Sequence, residues 1–310
     1  MRIVFFGTPS LAVPSLAALA ERHDVTAVVC QPDKPVGRSR KPAPPPVKVW
    51  AEEYGVPVHQ PAKLNDGRFE AWLREQQPDL CAIAAYGRIL KEPILNVPPH
   101  GFINMHPSLL PRHRGPSPIQ TALLMGDTVT GVTIMRLILE MDAGDIILQE
   151  EYPIEPEDNT ASLTEKLAPF GGQLLAKAVD LIEAGQATFT PQDHESATYT
   201  RMFAKEDGRI HWEESAPAIH NRVRACNPWP VAYCGFKGGA CRIHRTALSQ
   251  EPTTADPGVV VRVARDEIAA ATGAGCISIL ELQLPGKRVM SAADFLRGHK
   301  VEPGDRFEDA

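Results

Sequence analysis

The chain has no apolar run near the ~20 residues needed to cross a bilayer, so it offers no membrane-spanning candidate. Its start, Met1-Arg2-Ile3-Val4-Phe5-Phe6, runs straight into a strand pattern. With no separate apolar segment and no small-residue cleavage site, no signal peptide is expected. Cysteine is scarce: Cys30, Cys81, Cys226, Cys234, Cys241 and Cys276 are six among 310 residues, and none form a Cys-x-x-Cys pair. Cys241 and His244 alone would be half a metal site. Reduced buried thiols, no metal and a reducing cytoplasmic compartment are therefore expected. Gly7-Thr8-Pro9 lacks the second and third glycines of a dinucleotide fingerprint, which argues against a nicotinamide cofactor. No internal repeat is evident. A net charge of −6 argues against a generic nucleic-acid binder.

What is present fits a two-domain globular enzyme, with 43% apolar and 23% charged residues. The charge is uneven. Residues 1–200 carry 17 basic and 24 acidic side chains, and residues 201–310 carry 15 and 14. Between 33 and 48, Lys34, Arg38, Arg40, Lys41 and Lys48 face one acid, Asp33. Six prolines between 31 and 47 stiffen this stretch into a loop. It reads either as a solvated surface connection or as an arm presenting cations to phosphates, because screening confines charge effects to about 8 Å at physiological salt.

The first half alternates β-rich runs (2–6, 25–30, 56–59, 80–85, 102–104, 132–137, 146–152) with helical patterns (11–21, 46–54, 67–75, 116–125, 160–185). This alternation predicts an α/β, Rossmann-like, mostly parallel sheet over 1–187, with ligands at the C-terminal strand ends. A polar stretch at 188–204 reads as a linker. Over 205–310 a short helix (216–226) and about five short strands (231–236, 240–248, 258–265, 267–272, 276–283), spaced by glycine turns, predict a small OB-like β-barrel.

The most informative stretch is Ile103-Asn104-Met105-His106-Pro107-Ser108-Leu109-Leu110-Pro111, followed by Met141-Asp142-Ala143-Gly144-Asp145. Asn104 and His106 are two apart, so on a strand they face one side. An amide donor beside an imidazole base is what acyl transfer needs: one group stabilises an oxyanion while the other moves a proton. A carboxylate from a neighbouring strand, Asp142, would hold the imidazole in one tautomer. The bland readings are a turn asparagine, a structural histidine and a turn aspartate. Asp145 reads as a turn cap. His113, between Arg112 and Arg114, reads first as structural and second as a phosphate contact.

Asn-x-His-x-Ser-Leu-Leu-Pro, then Arg-x-Arg-Gly, Gly131-Val132-Thr133 and Asp142-x-Gly144-Asp145, resembles the folate-dependent formyltransferases. The likeness extends to Phe6-Gly7-Thr8-Pro9, Gln31 to Arg38, Ala85 to Leu90, Asn227-Pro228-Trp229-Pro230 and Pro285 to Met290. With the basic loop and the second domain, it is specifically similar to the branch acting on methionyl-tRNA. That resemblance implies a catalytic trio of Asn104, His106 and Asp142, and a folate segment of Ser108, Leu109, Leu110 and Pro111. It implies 10-formyltetrahydrofolate as co-substrate without a metal, and initiator methionyl-tRNA as partner, with no membrane and no stable protein partner. Arg38 falls at a loop arginine used near the tRNA acceptor end. Arg40, Lys41, Lys287 and Arg288 are further tRNA candidates, followed by Lys205, Arg209 and Arg306. Pro107 stands where relatives often have glycine, and removes an amide donor there. Three alternatives stay open: a formyltransferase for a small amine, a formyl-folate hydrolase, and a non-catalytic RNA binder.

Overall fold

The computed structural model describes residues 1–36 and 41–310. Arg38, Arg40 and the side chain of Lys41 lie outside the described residues. The chain forms two compact units. One comprises Met1–Gly115, Val129–Pro153 and Thr164–Thr200; the other comprises Pro116–Thr128, Ile154–Leu163 and Arg201–Ala310. No helix of the described residues is long and apolar enough to cross a membrane.

The first unit holds strands β1 (Arg2–Gly7), β2 (Asp24–Val29), β3 (Lys34–Val36), β4 (Lys41–Ala43), β5 (Val58–His59), β6 (Leu80–Ala84), β7 (Phe102–His106), β8 (Val129–Arg136) and β9 (Ile146–Pro153). Helices α1 (Val13–Ala20), α2 (Pro46–Glu53), α3 (Arg68–Glu75) and α4 (Glu92–Leu95) lie between them in sequence; α5 (Pro118–Met125), which belongs to the second unit, follows β7, and α6 (Thr160–Glu183), in the first unit from Thr164 on, follows β9. The main sheet runs β5-β2-β1-β6-β7-β8-β9. Its first five strands are parallel. β1 and β6 are nearly unbroken apolar runs because both faces of a parallel sheet are covered. Phe6 centres the packing, 5.3 Å from Phe102 and 5.4 Å from Tyr86 between ring centroids. Each such fully buried ring contributes about 2–3 kcal/mol of transfer free energy.

β8 and β9 complete the sheet antiparallel to their neighbours. Residues 137–145, which join them, are too few for a helical crossover, which takes a dozen or more. A direct hairpin connection is what remains, and it carries Asp142. The stretch predicted as a proline loop at 31–47 contains two short antiparallel strands, with Lys34 opposite Ala43 and Pro35 opposite Pro42. A two-stranded ribbon tolerates these prolines because its outer edges need no donors.

The second unit is an antiparallel sheet ordered β12 (Val260–Val263), β13 (Ile268–Ala271), β14 (Cys276–Gln283), β11 (Gly239–Ser249), β10 (Ala232–Phe236) and β16 (Phe307–Glu308), with β15 (Met290–Ser291) beside β14. Its two ends meet. Phe307 N donates to Gly258 O at 2.8 Å, and Val260 N to Asp305 O at 2.7 Å. With an isolated bridge between Val259 and Arg306, these bonds curl the sheet into a partial barrel and cover part of its edges. Helix α7 (Ala216–Ala225) starts from a Ser215 cap whose hydroxyl accepts the Ala218 amide, and α8 (Ala292–Gly298) from a Ser291 cap. The interior is a cluster built on Trp212, Phe236 and Phe307.

Candidate active site

The apolar pattern predicts a strand ending at Asn104, but β7 continues to His106. Asn104 pairs with Ile83 and Met135, and His106 with Thr133, so both sit in the sheet ladder rather than beyond it. Their side chains share one face. On the other face, Met105 packs so near α6 that a Cβ at Gly171 would lie 3.0 Å from its sulfur. Asn104 is half-buried, and among the described residues its carboxamide has no hydrogen-bond partner.

His106 is 4% exposed. Its Nε2 lies 3.0 Å from the His113 carbonyl oxygen, and its Nδ1 lies 3.7 Å from Asp142 Oδ2. A carbonyl only accepts, so Nε2 carries the hydrogen, and the lone pair of the neutral ring is on Nδ1. The tautomer is thus set by the His113 carbonyl rather than by Asp142. Burial holds the His106 pKa below its ordinary value, against the opposing pull of the Asp142 carboxylate and the His113 carbonyl. A neutral ring with a free Nδ1 is a base; once protonated there, it faces a carboxylate.

Asp142 is held in a left-handed conformation, φ +50°, which costs a non-glycine residue on the order of 1 kcal/mol. Its Oδ2 accepts the Gly115 amide at 2.8 Å. Gly115 (φ +111°) packs against Thr200, where a Cβ would meet the Thr200 carbonyl oxygen at 2.8 Å. His113 is also left-handed (φ +60°), and its amide donates to Thr198 Oγ1 at 2.8 Å. Residues 198–200 pair with 113–115, so much of the stretch predicted as a linker is built into the first unit beside the site. Asp145 closes the hairpin loop by accepting the Arg136 amide at 2.9 Å.

Ser108 and Leu110 are buried, and their polar groups are engaged internally. Ser108 Oγ donates to Arg112 O at 2.7 Å, Thr133 Oγ1 donates to Ser108 O at 2.6 Å, and Gln149 Nε2 donates to Leu110 O at 2.9 Å. Leu109 and Pro111 are half-exposed. A cavity of about 640 Å³ lies along the Phe102 end of β7. Leu95, Pro98 and Phe102 line one part of it, and Leu137, Leu139 and Glu140 of the Asp142 loop line another. Phe102 and Asn104 share a face of β7, but Asn104, His106 and Asp142 do not themselves line this cavity. Its size suits a small-molecule site. Sequence reasoning missed these residues, although Leu137-Ile138-Leu139 just before Asp142 was the available signal: Ile138 and Leu139 are 41% and 61% exposed.

The remaining cationic candidates lie on the second unit. Lys287 and Arg288 are exposed at the Leu284–Lys287 turn, shaped by Pro285 and a left-handed Gly286. Lys205 and Arg209 precede β10, and Arg306 precedes β16; all three are exposed. All six cysteines are buried free thiols, and His244 Nε2 hydrogen-bonds Gln283 Oε1 at 3.2 Å. Among the described residues, no group of three histidine, cysteine or acidic side chains is placed to hold a metal ion.

Residues 1–179 match the family model described as formyl transferase, and 202–300 match its C-terminal domain. Fold and site thus define a formyltransferase. Over 306 residues the chain is 44% identical to the methionyl-tRNA formyltransferase of Moorella thermoacetica, covering 98% of each protein. The chain belongs to the methionyl-tRNA formyltransferase family. An N-formyltransferase from Helicobacter canadensis, solved with folinic acid and dTDP-3-aminofucose, shares the fold (TM-score 0.69, 20% identity, 90% of this chain and 98% of that one). HypX from Aquifex aeolicus shares it as well (TM-score 0.66, 21% identity, 98% of this chain), and this chain spans 49% of that protein.

Proposed function

We propose that the chain transfers the formyl group of 10-formyltetrahydrofolate to the α-amine of initiator methionyl-tRNA, giving N-formylmethionyl-tRNA for translation initiation in the cytoplasm. The observation that carries this reading is the pairing of buried His106 with half-buried Asp142 beside Asn104, in a chain 44% identical over 98% of its length to an enzyme of that name.

The amine nitrogen attacks the formyl carbon. A new C–N bond forms and the carbonyl electrons move to oxygen, giving a tetrahedral oxyanion. The Asn104 carboxamide, without a hydrogen-bond partner among the described residues, donates to it; loss of one such donor typically costs about 3–4 kcal/mol. His106 takes the amine proton on Nδ1, and the resulting imidazolium is stabilised by Asp142. As the bond from carbon to N10 breaks, that proton passes to N10, leaving tetrahydrofolate. The folate ring system occupies the cavity bounded by Phe102 and 137–140, with Leu109 and Pro111 contributing at its reacting end. Ser108 and Leu110 hold the turn itself. Arg38, Arg40, Lys41, Lys287 and Arg288 serve as phosphate contacts for the tRNA.

Formyl transfer from 10-formyltetrahydrofolate is to be measured with methionyl-tRNA, with a small aminated nucleotide sugar, and with no amine. Turnover with charged tRNA alone, falling steeply as salt is added, is expected. Transfer to the small amine but not to tRNA would overturn the acceptor, and formate release without an amine would make the chain a hydrolase.

A further inference from the structure

Gln192 belongs to the polar segment after α6, yet it is 5% exposed and lies within the site region. Its Nε2 donates to the Asp142 carbonyl at 2.9 Å and to the Gly144 carbonyl at 2.7 Å. Its Oε1 accepts from Arg114 twice, from Nε at 3.1 Å and from Nη2 at 2.8 Å. Arg114 is fully buried. Its remaining contacts are Tyr199 Oη at 3.3 Å, His194 Nδ1 at 3.2 Å and, more distant, Glu140 Oε1 at 3.9 Å. A buried guanidinium needs acceptors, and here a neutral amide is the main one. One carboxamide therefore joins a sealed cation to the backbone of the loop bearing Asp142.

We propose that Gln192, fixed by Arg114, is a positioning residue for formyl transfer: it latches the Asp142 backbone in its left-handed conformation so that the carboxylate faces His106 Nδ1. This rests on the catalytic reading of Asp142. A left-handed non-glycine residue persists where its surroundings over-determine it. Asp142 has two such restraints, the Gly115 amide on its carboxylate and Gln192 on its carbonyl. Without the second, the loop is free to turn about the first, and the distance from Oδ2 to Nδ1 is no longer set.

Gln192→Glu separates the two halves of the latch. An ionised glutamate keeps an acceptor for Arg114, but it presents a lone pair where the amide donated to Asp142 and Gly144. Each variant is checked for an intact thermal transition and unchanged tRNA affinity before kinetics. Gln192→Asn, one methylene too short, is the second variant should Gln192→Glu not fold. The expected result is a loss of about 10²-fold in kcat, the cost of a misplacement near 1 Å, with little change in KM for methionyl-tRNA. The acid limb of the pH profile should also move to lower pH, because the carboxylate no longer raises His106. In an Asp142→Asn background, the Gln192→Glu loss should shrink to about twofold, since groups acting as one unit are non-additive. A full loss in that background, or parental kcat in the single variant, overturns the latch. A parent-like Asp142→Asn removes the catalytic reading itself, whereas a crippled Asp142→Asn beside a parent-like Gln192→Glu removes the latch alone.

Discussion

The first unit hides its proposed working groups and the second displays them. Around β7, His106, Arg114 and Gln192 are nearly sealed, and apart from His106 Nδ1 their polar atoms are engaged within the protein. On the curled barrel sheet, Lys287, Arg288 and Arg306 stand in solvent on turns and strand approaches. The difference follows from what each chemistry requires. A dipole aimed at developing charge is worth most where water is excluded and the donor is held in place beforehand. Phosphate recognition draws on counterion release, which works at an open surface and weakens with salt. Changes near β7 should therefore cut turnover at any ionic strength, while changes on the barrel should alter affinity in a salt-dependent way.

The sharpest test of the first half of this contrast is His106→Ala, expected to lose about 10²–10⁴ in kcat while methionyl-tRNA still binds with parental affinity. Retention of parental turnover would show that a sealed imidazole can be merely structural. Asn104→Ala is expected to follow with about 10²–10³ in kcat, the range for one lost oxyanion donor, and with KM for both substrates near parental. A rise in KM with kcat intact would instead make Asn104 a ground-state binding group.

A smaller effect tests the electrostatics. On the proposed mechanism transfer needs His106 neutral, and burial disfavours its imidazolium, so the acid limb of kcat/KM should lie below the ordinary value of 6.5. Asp142 acts in the opposite sense, raising the His106 pKa. Asp142→Asn should therefore carry the acid limb of the residual activity further down, not up. A shift to higher pH would mean that the limb reports another group.

Much of this contrast was legible in the sequence, for identifiable reasons. Continuous apolar runs such as Arg2–Gly7 and Leu80–Ala84 announce buried parallel strands, and the spacing of Asn104 and His106 places two polar groups on one face. Short β-rich runs between glycine turns announce the barrel. The direction of β8 and β9 was not legible from alternation alone, although the length of 137–145 excludes a helical crossover. Residues 190–200 have no period because their structure comes from distant partners, Arg114 and Asp142 above all. The group that sets the His106 tautomer is a backbone carbonyl, His113 O, and a backbone atom has no residue-type signature. Nor does residue type reveal that Ser108 spends its hydroxyl on Arg112 O rather than on a ligand.

The smallest expected effect belongs to the barrel. Lys287 lies on a turn whose backbone is already fixed: its amide donates to Leu284 O at 3.1 Å, and its carbonyl accepts from Gln283 Nε2 at 2.7 Å. Its side chain is exposed, so Lys287→Ala should leave stability and kcat unchanged. If the ammonium neutralises one tRNA phosphate, the slope of log affinity against log salt should fall by about one unit. That difference should vanish at high salt, where the parent has lost the same contact. An unchanged slope would take Lys287 out of the tRNA footprint. A lowered kcat with an unchanged slope would break the contrast itself, because an exposed turn of the barrel would then be acting on the chemistry rather than on the hold.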